Sequence, residues 1–106
     1  MWYLYHAMRT IHHPVIENVA LSQVLYALSD PVRLTVVRQL AAEGEATCSA
    51  LDCGRPKSSM SHHFRVLREA GLVRTRNDGP AHMNFLRREE IDQKFPGLLD
   101  AILAAG

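Results

Sequence analysis

The sequence predicts a mainly α-helical domain closed by one small β-hairpin, and three observations lead there. From Pro56 to Gly71 the apolar residues Met60, Phe64 and Leu67 recur at i, i+4 and i+7, which gathers them on one stripe of a helix. A short segment opened by Thr47 and closed by Gly54 stands just before it. After it, Leu72-Val73-Arg74-Thr75-Arg76 and His82-Met83-Asn84-Phe85-Leu86 flank the turn residues Asn77-Asp78-Gly79-Pro80. Two helices joined by a tight turn and followed by a hairpin make a winged helix-turn-helix.

Residues 1–14 are aromatic and then histidine-bearing, with no period, and are expected to form an N-terminal arm. Met8 is a second possible start of translation. The domain proper is expected over residues 15–106. From Val15 to Leu28 the apolar residues keep a helical period, which predicts one continuous first helix. Asp30 then suits an N-cap and Pro31 a first helical position, so a second helix runs to about Ala42, where Glu43-Gly44-Glu45 ends it. Thr47 caps a third, from Cys48 to Cys53, and Gly54-Arg55-Pro56 is the turn. The fourth carries Lys57, Ser58, Ser59, Ser61, His62, Arg65 and Arg68 away from its apolar stripe. The tail is expected to hold a short turn to Lys94 and a terminal helix from Pro96 to Ala104, because the residue before a proline avoids helical geometry. That helix and the first one present more apolar surface than so small a monomer covers, so a dimer built on them is expected, with Leu99 and Ile102 in its seam.

At 106 residues the chain has the size of one domain, and its 47% hydrophobic and 22% charged residues are those of an ordinary globular protein. The net charge of +1 is unevenly spread. Between Arg55 and Arg76 six cations (Arg55, Lys57, Arg65, Arg68, Arg74, Arg76) oppose one acid, Glu69, whereas from Thr10 to Gly54 two cations oppose five acids. A basic half on a near-neutral chain is the footprint of a polyanion-binding face. Hydroxyls, an imidazole and cations on a helix are the donors that reach base edges and phosphates in a major groove. No apolar run is long enough to cross a bilayer, and the opening residues lack the basic start and apolar core of a secretory signal, so a cytoplasmic protein without membrane partners is expected.

The chain at this point resembles the ArsR-type family of winged helix-turn-helix transcriptional regulators. Asp30-Pro31-Val32-Arg33-Leu34 is similar to the opening of the family's second helix, and Lys57 to Val73 resembles its recognition helix and entry to the wing. The resemblance covers roughly residues 15 to 90. It implies a homodimer that binds a near-palindromic operator in double-stranded DNA, usually as a repressor released by a small effector. It places Lys57, Ser58, Ser61 and His62 on the DNA-contacting face, with Arg74, Arg76 and His82 flanking the wing tip. Metal-sensing members carry Cys-x-Cys near the third helix or Asp and His on the last. This chain has Cys48 and Cys53, and neither histidine nor cysteine in its last helix.

Other chemistry finds little support. Ser58, Ser59 and Ser61 have no base and orienting acid in a recognisable arrangement, and there is no phosphate-binding glycine loop, so no catalytic site and no cofactor are expected. His62 and His63 are adjacent, hence about 100° apart on a helix and poorly placed to share a metal; His62 is expected outward on DNA and His63 half-buried. His6, His12 and His13 read as part of a flexible arm rather than a metal tract. Cys48 and Cys53 are the candidates for a thiol switch, although on one helix their side chains diverge by about 140° and packing is the simpler role. The effector is open at this stage. The competing reading, a winged-helix module that binds protein instead of DNA, is opposed by the basic outer face.

Overall fold

The computed structural model describes residues 11–105. The expectations for His6 and the aromatic opening lie outside that range. Six helices and three strands follow in order: α1 (Leu21–Leu28), α2 (Pro31–Glu43), β1 (Glu45–Thr47), α3 (Cys48–Leu51), α4 (Lys57–Glu69), β2 (Val73–Asp78), β3 (Ala81–Leu86), α5 (Arg88–Lys94) and α6 (Leu98–Ala104).

The continuous first helix is not formed. A 3-10 turn at Ile16–Asn18 is followed by extended backbone at Val19 and Ala20 before α1 begins. Tertiary contacts explain the break. Lys94 Nζ donates to the carbonyls of Ile16, Glu17 and Val19 at 3.0, 2.9 and 2.6 Å, and so satisfies acceptors that a continuous helix would have paired itself. Val19, 1% exposed, turns inward onto Gly71.

The turn between α1 and α2 follows its sequence signals. Asp30 Oδ2 accepts the amides of Val32 and Arg33 at 2.9 and 3.1 Å, with Pro31 opening α2. Burial alone would raise the pKa of Asp30, yet these amide hydrogen bonds hold it below the ordinary carboxylate value.

The sheet has three antiparallel strands in the order β1-β3-β2, not the two of a simple hairpin. β1 is three residues long, too short to show an alternation, so only its helix-ending flank was legible in the sequence. Across the sheet Ala46 pairs with Asn84 and Asn84 with Thr75. The inner face of the sheet closes on one core with Val24, Val36, Val37, Leu40, Met60, Phe64, Leu67 and Ile91.

Leu99 belongs to this core and is 0% exposed. That overturns its expected place in a seam between subunits. α6 does have a partner in its own chain, since Leu98, Ile102 and Leu103 also pack against the core as partly buried residues. Among the described residues, the large exposed apolar side chains lie at Val15, Leu21, Leu25 and Tyr26.

Gly71 ends α4 at φ +76°, and a Cβ there would stand 2.5 Å from Val19 Cγ2. Gly97, before α6, has φ +79° and open space around the same position. Gly71→Ala therefore combines left-handed strain with overpacking and is expected to cost about 2–4 kcal/mol, against about 1 kcal/mol for Gly97→Ala. Urea denaturation of the two variants checks this; equal losses would show that Val19 yields without resistance.

Candidate nucleic-acid interface

α4 is delivered to the surface by a short, well-capped lead. Thr47 Oγ1 accepts the Ala50 amide at 3.2 Å and so starts α3, which ends at Leu51 rather than running on to Cys53. The chain reverses through Asp52, whose Oδ1 accepts the Gly54 amide at 2.9 Å, and through Cys53, which holds a left-handed φ of +52°. Cys53 is thus exposed in the turn, outside the helix that the rotational argument for the two thiols assumed.

On α4 the predicted division of faces is present. Met60, Phe64 and Leu67 are buried, while Lys57, Ser58, Ser59, Ser61, His62 and Arg65 are exposed together. Ser59 Oγ is already engaged, donating to the Pro56 carbonyl at 2.9 Å in the first turn. His63 is half-buried as expected, its Nδ1 3.2 Å from Arg33 Nη1. Arg68 is not on the outer face. Its guanidinium reaches Thr75 Oγ1 on β2 at 3.5 Å, and burial lowers its pKa from the ordinary arginine value.

The wing residues divide between its two sides. His82 is exposed and shares a groove with Lys57, Ser61 and Arg68 between α4 and the hairpin. Arg74 and Arg76 alternate with buried Val73 and Thr75, which turns them to the sheet's other side. Arg74 pairs there with Glu90 of α5 at 3.4 Å. Arg76 lies 4.9 Å over the Phe85 ring and 3.8 Å from Asp78, near the hairpin tip. Glu90 is held mainly by Arg87, whose hydrogen bonds lower its pKa below the usual carboxylate range.

A buried polar row, missed in the sequence, anchors the wing. Thr75 Oγ1 donates to Asn84 Oδ1 at 2.7 Å, and Asn84 Nδ2 donates to the Ala46 carbonyl at 3.3 Å and approaches Cys48 Sγ at 3.2 Å. Asn84 is 0% exposed. The available signal was an amide residue in the middle of a strand pattern. Cys48, half-buried beside this row, is held by contacts of packing and hydrogen bonding.

Residues 28–76 match the family model described as a helix-turn-helix domain. The HTH-type transcriptional regulator YceK of Bacillus subtilis is 37% identical over 84 residues, spanning 76% of this chain and 84% of that protein. The arsenical resistance operon repressor of Staphylococcus xylosus is 36% identical over 73 residues, 68% of this chain and 70% of that one. The crystal structure of an ArsR family transcriptional regulator superposes with a TM-score of 0.65 at 26% identity, covering 76% of this chain and 90% of the other. This chain belongs to the ArsR-type helix-turn-helix regulators.

As an ArsR-type regulator it is a DNA-binding transcriptional regulator, and its relatives are regulators rather than enzymes. Among the described residues no helix is long and apolar enough to cross a membrane, and no group of three or more His, Cys, Asp or Glu could hold a metal ion.

Behind the wing, His13 Nε2 accepts the Thr75 amide at 2.9 Å, which requires that nitrogen to be unprotonated. Partial burial, then Arg74 and Arg87, push its pKa below 6.5. The unfolded chain therefore takes up this proton first. Stability from the contact is complete above about pH 6.5 and is lost as the pH falls toward the folded-state value. His13→Gln keeps an acceptor without the titration, so its stability should decline less than the parent's between pH 7.5 and 5.5 in urea melts. Equal declines would show that the imidazole does not hold the strand.

Proposed function

We infer that the protein is a homodimeric transcriptional repressor that binds a near-palindromic DNA operator and leaves it when a small effector binds. The observation that carries this reading is the exposed set Lys57, Ser58, Ser61, His62 and Arg65 on α4, opposite Met60, Phe64 and Leu67. A helix with this split can lie in a major groove, where hydroxyl, imidazole and guanidinium groups meet base edges and phosphates. Arg76 near the hairpin tip and His82 beside the groove supply flanking backbone contacts. Arg74, paired with Glu90, serves mainly to brace β2 on α5. Ser59, bonded to Pro56, serves the helix start.

The dimer seam in this reading is the outer face of α1 with the turn before it. Val15, Leu21, Leu25 and Tyr26 are 56%, 46%, 46% and 58% exposed, a cluster of large apolar groups suited to burial against its own copy. Repression is supported by the S. xylosus relative, whose name states that role. Thiol modification at Cys48 or exposed Cys53 is one form the release could take; titration of the DNA complex with arsenite and peroxide tests it.

Selection from random duplexes tests the central assignment, with a recurrent inverted repeat as the expected product. On the selected duplex His62→Ala and Ser61→Ala should each cost about 1–3 kcal/mol, with little loss on random DNA. Arg76→Ala should weaken both and reduce the salt slope by about one. Equal loss on both duplexes for His62→Ala removes it from the reading face.

Subunit contacts have their own test. Leu25→Glu should sediment as a folded monomer at micromolar concentration, because it puts a charge into the seam and nothing into the core. Leu99→Glu should unfold the chain instead. A dimeric Leu25→Glu protein contradicts the α1 seam.

A further inference from the structure

Arg33 is almost wholly removed from water, 5% exposed, and its guanidinium nitrogens are each directed at a partner. Nε donates to the Ala27 carbonyl at 2.8 Å and Nη2 to the Tyr26 carbonyl at 3.3 Å. Both carbonyls lie in the last turn of α1, and that of Tyr26 also accepts the Ser29 amide and hydroxyl at 3.1 and 2.6 Å. Nη1 lies 3.2 Å from His63 Nδ1 on the inward side of α4. A guanidinium has only donors to offer, so His63 Nδ1 presents its lone pair and the ring proton is on Nε2. One side chain of α2 thus joins the end of α1 to α4, one residue from His62. The same guanidinium stands 5.2 Å over the exposed Tyr26 ring, so the link begins on the apolar face of α1.

We propose that the Arg33–His63 contact is the positioning link that sets the outer face of α4 relative to α1, and that protonation of His63 releases it. Sequence discrimination then depends on pH through a residue that touches no DNA. The inference rests on the assignment of α4 to base reading. Three groups face the imidazole: Arg33 from α2, Asp30 from the turn before it with Oδ2 at 3.9 Å, and His62 on the same helix with ring centroids 5.8 Å apart. A proton on Nδ1 turns the acceptor into a donor, setting N–H against N–H and cation against cation. Of these three groups Asp30 alone is an anion able to receive it. That oxygen already accepts the Val32 and Arg33 amides as the cap of α2. Acid therefore moves His63 from Arg33 to Asp30 and opens the bridge between α1 and α4. Histidine rings change charge between about pH 5 and 8, the range in which the effect is to be sought.

The experiment compares the parent with His63→Gln, which offers Arg33 an amide oxygen without titrating, and His63→Leu, which offers nothing. Each is measured on the highest-affinity duplex from the random selection and on a scrambled duplex, at pH 7.5 and 5.5, with thermal melts alongside. The ratio of the two affinities should fall about tenfold for the parent on acidification, the size of one hydrogen bond to a charged group. It should fall clearly less than the parent's for His63→Gln, and be low at both pH values for His63→Leu. A pH-dependent ratio in His63→Gln like the parent's, or a parental ratio in a folded His63→Leu, overturns the proposal. If selection yields no preferred duplex, base reading by α4 fails, and the link is still decided without DNA by the 15N shifts of the His63 ring. Those shifts should report Nε2–H with a bare Nδ1 at pH 7.5, and a proton on Nδ1 there rules the link out.

Discussion

Burial of Met60, Phe64 and Leu67 constrains everything α4 does. The helix repeats every 3.6 residues, so once these three are driven into the core the directions of Lys57, Ser58, Ser61, His62 and Arg65 follow without further choice. The outer face of α4 is the complement of the packed face, so the core decides which residues it carries. Leu51 from α3, Leu72 after α4 and Val73 of β2 close the same cluster, so the helix, its lead and the wing share one apolar anchor.

A second constraint works through polar groups. Asn84 sits in the middle strand with no access to water, and an unpaired amide there would carry a heavy desolvation cost. Thr75 and the Ala46 carbonyl are the partners that remove it, one from each neighbouring strand. Arg68 adds a contact from α4 to the same threonine. The hairpin is therefore registered to α4 and to the short β1 by hydrogen bonds that a one-residue slip would break all at once. Apolar packing sets where the wing lies, and this row sets how far along it lies.

Features whose cause is local were legible in the sequence. The Asp30-Pro31 cap, the two faces of α4, the hairpin turn and the inward turn of His63 each depend on residues within one helical turn or one hairpin. What was misread has a distant cause. The helical period through Val15 to Leu28 is genuine, but Lys94 and Gly71, about seventy-five and fifty residues away, break it. Leu99 looked unpartnered because the core it enters is assembled from segments far from it in sequence. The pairing of Arg74 with Glu90 was not legible because Glu90 lies beyond the hairpin. β1 is simply too short for its period to show.

The place of His13 on β2 also concerns what does not happen to this sheet. β2 is an edge strand, and an edge amide that points outward is an invitation for a strand of another molecule to add to the sheet. The imidazole that takes the Thr75 amide ends the ladder with a side chain, and a ring cannot pass hydrogen bonding on to a next strand as a backbone would. Arg87 fastens the same segment through the Pro14 carbonyl at 2.8 Å. His13 thus withdraws one outward edge amide from pairing with a strand of another molecule. A chain shortened past His13 and Pro14 would keep α4 and leave the Thr75 amide open to such a strand.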